Sequence, residues 1–216
     1  MKLAEEHLIV FTRYPEVGKT KTRLISALGA EGAAMLQRQM TEFTLKQVAQ
    51  LADQQNSRRD RASHSPPSVE IRFAGGDRSL MQDWLGSRWS YQPQAPGNLG
   101  ERMRQAFQFA FETGSKRVVT IGIDCPELDA ATLAQAFQAL QNHDLVLGPA
   151  TDGGYYLIGL CSLIPELFRG IDWGTDQVFQ QTVAVAEAKD LAIATLAPLT
   201  DVDRPEDLPI WEATQA

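Results

Sequence analysis

Cysteine is nearly absent from this chain. Cys125 and Cys161 are the only two among 216 residues. Two thiols build no disulfide framework and cannot by themselves supply a four-ligand zinc site. Histidine is almost as scarce. His7, His64 and His143 are scattered, and none stands at a recognisable spacing from a nucleophile. The G-x-S-x-G elbow of a serine nucleophile is absent as well. Cys125 precedes a proline and has no histidine near it, so it reads as a packed thiol. No apolar run reaches the ~18 residues of a membrane-crossing helix, and no span is expected. Positive charge is not in excess either: the net charge is −7, which argues against nucleic acid as the main partner. The opening "MKLAEEHLIVF" sets two acids before a short apolar run, unlike a secretory signal, so the expected compartment is cytoplasmic.

What is present is the composition of a soluble globular protein, 44% apolar and 22% charged, long enough for one domain over residues 1–216. Short apolar runs alternate with amphipathic stretches. "HLIVFT" (7–12), "VEIRFAG" (69–75), "RVVTIGID" (117–124), "DLVLGPA", "GGYYLIGL" and "LAIATL" read as strands, with a further short strand in "WSYQPQ". Helices are expected over 31–52, in "SLMQDWL", over 99–113, in "DAATLAQAFQALQ", over 175–189 and from Pro205 onward. Asn98 with Glu101 forms a capping-box pattern, Asp129 is a second N-cap and Thr175 a third. Residues 53–68, polar and ending near Pro66-Pro67, read as an exposed loop. This β-α alternation predicts a mostly parallel sheet covered by helices on both faces, with ligands at the carboxyl ends of the strands.

The candidate site therefore lies at those strand ends. After the first strand comes "FTRYPEVGKTKTRL". Its Gly18-Lys19-Thr20 imitates the end of a Walker A loop, but Arg13 stands where that loop needs its first glycine, and Pro15 donates no amide. What remains is a group of cations, Arg13, Lys19, Lys21 and Arg23, suited to a polyphosphate or simply to solvent. The 117–124 strand delivers Asp124, a hard oxygen ligand for Mg²⁺ or Mn²⁺. Asp201 and Asp203 precede a proline-initiated helix; one can cap it and the other would complete a metal site with Asp124. "GPATDGGYYLIGL" (148–160) reads as a hairpin turn that can double as a site. Gly153 and Gly154 let a ligand approach the backbone, and Asp152 is a candidate base for an acceptor hydroxyl. Of Tyr155 and Tyr156, adjacent in a strand, at most one is expected to face a ligand. Trp173, in a loop above the sheet, anchors that loop or stacks on a sugar or base.

Together "FTRYPEVGKTKTRL", "GNLGERM", "GIDCPEL", "GPATDGGYYLIGL", "WGTDQV" and "DVDRPEDL" resemble, in this order, the DUF2064 proteins. These are also called the radical-SAM/selenodomain-associated transferase 1 family and are assigned to the nucleotide-diphospho-sugar transferases of glycosyltransferase-A fold. The resemblance covers nearly the whole chain and implies a Rossmann-like α/β/α sandwich binding a nucleotide near the first strand. Lys19 to Arg23 is similar in placement to the phosphate loop of molybdenum-cofactor-type nucleotidyltransferases, with Arg13-Tyr14-Pro15 in place of most of its glycines. "IGID" resembles the Asp-X-Asp metal motif, of which only Asp124 is matched because Gly122 replaces the first acid. "DVDRPEDL" resembles the terminal nucleotidyltransferase motif, which would give Asp201 or Asp203 a metal role. The expectation is a metal-dependent glycosyltransferase with a nucleotide-sugar donor and a small hydroxyl acceptor. The alternatives are nucleotidyl transfer from an NTP with release of pyrophosphate, and nucleotide binding without catalysis.

Overall fold

The computed structural model describes residues 4–57 and 65–215. Seven strands form one sheet: β1 (Glu6–Arg13), β2 (Ser68–Ala74), β3 (Ser90–Pro93), β4 (Arg117–Ile121), β5 (Leu145–Pro149), β6 (Tyr155–Leu160) and β7 (Ile193–Thr195), in the order β3-β2-β1-β4-β6-β5-β7. All neighbouring pairs are parallel except those made by β6, which runs antiparallel to β4 and β5. β6 can reverse because it follows β5 through the tight 150–154 turn instead of a helical crossover.

The helices are α1 (Ile25–Ser57), α2 (Arg78–Leu85), α3 (Leu99–Glu112), α4 (Ala130–Ala139), α5 (Val178–Glu187) and α6 (Leu208–Ala213). Alternation along β1 divides the core. Leu8 and Val10 face α1, α2, α4 and α6, whereas Ile9 faces α3 and α5. The result is the expected three-layer sandwich.

The caps on α3 and α4 form as their sequences predict. Asn98 accepts from the Glu101 amide while Glu101 accepts from the Asn98 amide, and Asp129 accepts from the Thr132 amide. Three expectations are corrected. The first helix covers Ile25–Ser57 instead of 31–52, with a bend at Gly29 (φ 71°). Residues 53–57 are therefore helical, because Asp, Gln and Asn continue a helix once it is nucleated; the remainder of the expected 53–68 loop lies largely outside the described residues, and 65–67 are irregular. Thr175 does not cap α5. That helix starts two residues later than such a cap would allow, and the Thr175 hydroxyl donates to the Asp172 carbonyl instead.

Candidate functional site

Between β1 and β4 the chain changes direction across the sheet: β2 and β3 build outward on one side, β4 to β7 on the other. Strand ends splay apart at such a switch point. A cavity of about 510 Å³ opens there, lined by the ends of β1 (Phe11 to Arg13) and β4 (Thr120 to Cys125). The turn before β6 contributes Asp152, Gly154, Tyr155 and Tyr156; the segment before α6 contributes Asp201 and Asp203; the loop before α5 contributes Trp173 to Thr175. Thus Arg13, Arg23, Asp124, Asp152, Asp201, Asp203, Gly154, Tyr155 and Trp173 all converge from distant parts of the chain. Lys19, Lys21 and Gly153 are not among the lining residues.

The charged groups are unevenly compensated. Two arginines, Arg13 and Arg23, face four aspartates. Lys21, beneath the lining, donates to Asp124 Oδ1 and to the Val202 carbonyl, both at 2.5 Å, and its side chain is only 4% exposed. Arg23 pairs with Asp203. Asp201, half-buried, titrates above the usual carboxylate range because burial and then the charge of Asp152 disfavour its ionised form. The Cys125 thiol is pushed up by burial and then by Asp124, Asp201 and Asp152, which makes it a packing group and not a nucleophile.

Lys19 points elsewhere. It is 73% exposed and bound to Glu16 at 2.5 Å. Glu16 in turn accepts the Gly76 amide at 3.1 Å, and its carboxyl is held below its ordinary value chiefly by Lys19. The basic loop is thereby pinned to the turn after β2. Arg13 donates to the Lys19 carbonyl at 3.1 Å, which steadies the same loop from the cavity side.

Gly153 has a packing role. It lies at φ 89°, and a Cβ there would sit 2.2 Å from the Asp176 carbonyl oxygen. Its carbonyl accepts the Phe179 amide in the first turn of α5, so it fastens the 150–154 turn to that helix. Asp152 closes the turn by accepting the Gly154 amide at 2.8 Å. Tyr155 and Tyr156 both line the cavity, which corrects the expectation that at most one would, but neither hydroxyl is presented there as a polar handle. Tyr156 donates to the Ala197 carbonyl at 3.0 Å. The Tyr155 hydroxyl is buried without a well-formed hydrogen bond. Tyr155 meets Trp173 edge-on at 6.3 Å, and Trp173 lies over Gly100, where a Cβ would come within 2.5 Å of its Nε1. Gly100, the second glycine of "GNLGERM", therefore makes room for the indole wall of the cavity.

Sequence reasoning missed Gln37 and Gln94. Gln37 donates to Thr12 Oγ1 and the Arg13 carbonyl, and Gln94 to the Thr12 and Arg72 carbonyls. Both hold the carboxyl end of β1 in place. Gln94 directly follows the third strand, a position at which a strand-end rule could have flagged it; Gln37 lies mid-helix with no local signal.

No group of three or more His, Cys, Asp or Glu side chains among the described residues is gathered closely enough to hold a metal ion unaided. The donor set nevertheless suits a hard divalent cation. Mg²⁺ characteristically uses one or two carboxylates and completes its shell with water and substrate phosphate oxygens. The acids also outnumber the cations, four to three even with Lys21 included.

Comparison with known proteins accords with this geometry. The family model described as "Uncharacterized protein conserved in bacteria (DUF2064)" matches residues 59–175. A protein from Desulfovibrio desulfuricans G20, provisionally named a nucleotide-diphospho-sugar transferase, is 35% identical; the match covers 99% of this chain and 88% of that one, with a TM-score of 0.86. The inositol-1-phosphate CTP transferase from T. maritima shares 12% identity over 99% of this chain and 96% of its own, with a TM-score of 0.61. A CMP:2-keto-3-deoxy-manno-octonic acid synthetase complexed with CTP shares 9% identity over 97% and 98%, with a TM-score of 0.57. At such identities the last two show the fold alone. No curated protein gives a match. Among the described residues no helix is long and apolar enough to cross a membrane.

Proposed function

The chain belongs to the DUF2064 family, and from that premise we propose that it is a metal-dependent glycosyltransferase using a nucleotide-diphosphate sugar and a small hydroxyl acceptor. The observation that carries this reading is the charge of the cavity. Four aspartates against two arginines would repel a diphosphate, so an anionic donor enters only with a cation. Asp124 and Asp201, with Asp203 beside them, are the residues to hold Mg²⁺ or Mn²⁺. When bound, that ion supplies charge neutralisation for the departing nucleoside diphosphate. Arg13 and Arg23 carry the remaining phosphate charge through guanidinium hydrogen bonds. Asp152, fixed by its bond to the Gly154 amide, accepts the proton of the acceptor hydroxyl as the new glycosidic bond forms. Trp173 and Tyr155 form the apolar wall against which a sugar face rests, and Gly154 lines the cavity beside them without a side chain.

A thermal-shift screen of nucleotide sugars and NTPs, with and without Mn²⁺, tests the reading. A ligand at about one hundred times its Kd stabilises by about 2.7 kcal/mol, or roughly 5–10 °C for a chain of this size. The expected hit is a nucleotide sugar that stabilises only with Mn²⁺ and releases nucleoside diphosphate on turnover. Equal stabilisation without metal sinks the metal role.

One observation favours nucleotidyl transfer as the second reading. The end of β1 and the loop after it carry four cations, Arg13, Lys19, Lys21 and Arg23, more positive charge than a diphosphate requires. Product analysis separates the two, since nucleotidyl transfer releases pyrophosphate.

A further inference from the structure

A lysine in a loop after the first strand invites assignment as a phosphate clamp, but the surroundings of Lys21 are wrong for that task. A clamp must reach into the cavity and be free to meet its ligand. Arg13 and Arg23 meet the first condition, since both line the cavity, and Arg23, though paired with Asp203, keeps a side chain 66% exposed. Lys21 does neither: its side chain is 4% exposed and its ammonium is committed to Asp124 Oδ1 and the Val202 carbonyl. Asp124 itself remains 53% exposed, so the partner and not the lysine is open to a ligand. The Val202 amide donates to the Asp124 carbonyl at 2.8 Å, so the ammonium and this backbone bond join the same two segments. Those segments bring three of the candidate acids, Asp124, Asp201 and Asp203. The backbone at Lys21 is bent to allow this. It adopts φ 47° and ψ 44°, a left-handed conformation uncommon outside glycine, at the entry to the short 3-10 turn Thr22–Leu24. Unfavourable backbone geometry persists where surrounding contacts over-determine it, and the two bonds of the ammonium do so here.

We propose that Lys21 is a positioning residue, the built-in counter-ion of Asp124. It ties the end of β4 to the segment before α6 and occupies one carboxylate oxygen, so that an arriving divalent cation has only the other. On this assignment Lys21 governs how tightly the cation binds, while Arg13 and Arg23 govern the phosphates. The proposal rests on the metal-dependent reading above and is tested so that the two can fail separately.

The test compares wild type with Lys21→Met, using Mn²⁺ alone, followed by electron paramagnetic resonance of the free ion, and then inorganic pyrophosphate at saturating Mn²⁺. Removing a single positive charge about 5 Å from a doubly charged ion should tighten Mn²⁺ binding on the order of tenfold and leave pyrophosphate affinity within about threefold. A structural role alone would not strengthen metal binding. Unchanged or weaker Mn²⁺ binding, or a tenfold loss of pyrophosphate affinity, overturns the proposal. If Lys21→Met does not fold, Lys21→Gln keeps an amide donor for the Val202 carbonyl and carries the same comparison. If wild-type protein binds no Mn²⁺, the metal-dependent reading fails. Lys21 as counter-ion is then upheld if either variant gains Mn²⁺ binding and overturned if neither does.

Discussion

Placing a methyl group on Gly100 should disturb the cavity wall from outside the cavity. In Gly100→Ala the new Cβ would stand 2.5 Å from Trp173 Nε1 and 2.6 Å from Cε2 and Cζ2. Ordinary contact needs about 3.5 Å, so the indole must retreat by about 1 Å. Overpacking of this kind costs about 1–3 kcal/mol, and replacing a helical glycine by alanine returns up to about 1 kcal/mol. The net destabilisation is about 0–3 kcal/mol, a fall in Tm of up to roughly 12 °C. Activity should suffer more, since a shift of about 1 Å in a positioning group can cost about 100-fold in rate. The assay is a double-mutant cycle in urea unfolding with Trp173→Ala, which removes the clash, alongside acceptor turnover. Tryptophan emission compared with Trp173→Phe reports the indole separately from Trp84, Trp89 and Trp211. If Gly100→Ala leaves emission, stability and turnover unchanged, or costs as much without the indole as with it, the contact does not shape the site.

Asp201→Asn should raise Tm in the absence of metal and abolish the Mn²⁺-induced rise. Because the folded protein holds Asp201 above its ordinary 3.8, its charge costs stability at neutral pH. The gain should therefore fade as pH falls through the folded value toward 3.8, where the wild-type carboxyl is neutral as well; thermal melts across pH read this directly. Asp152→Asn keeps an oxygen for the Gly154 amide, so it should fold normally and retain donor-induced stabilisation while turnover falls by about 10²–10⁴-fold. Gly153→Ala must accept a left-handed backbone and a collision with Asp176, costing about 2–5 kcal/mol in urea unfolding. A near-neutral result would mean that the 150–154 turn is free of α5.

Much of the fold was legible because it rests on local rules. The caps at Asn98 and Asp129 use donors three residues away, and most strands show as short apolar or alternating runs between turn residues. The extent of α1 was not legible, because its last turns are polar and carry no apolar stripe. The strand-end rule pointed to Asp124 and to the turn acid Asp152, both of which line the cavity. That rule ranks residues by distance along the chain from a strand. It cannot see that Gly153 is consumed in packing on Asp176, that Lys19 folds back on Glu16, or that Gln37 reaches β1 from the middle of a helix.

Local patterning alone determined the alternation of strands and helices, and with it a parallel-rich sheet whose strand ends carry cations on one side and acids on the other. Only the tertiary structure decided which charges meet. Lys21 and Asp124 are 103 positions apart, and Arg23 and Asp203 are 180 apart. No propensity or spacing couples residues at such separations; packing of the β1 loop against the end of β4 and the segment before α6 does. That packing divides four similar cations into an outward salt bridge at Lys19, a buried counter-ion at Lys21, and two arginines facing the cavity.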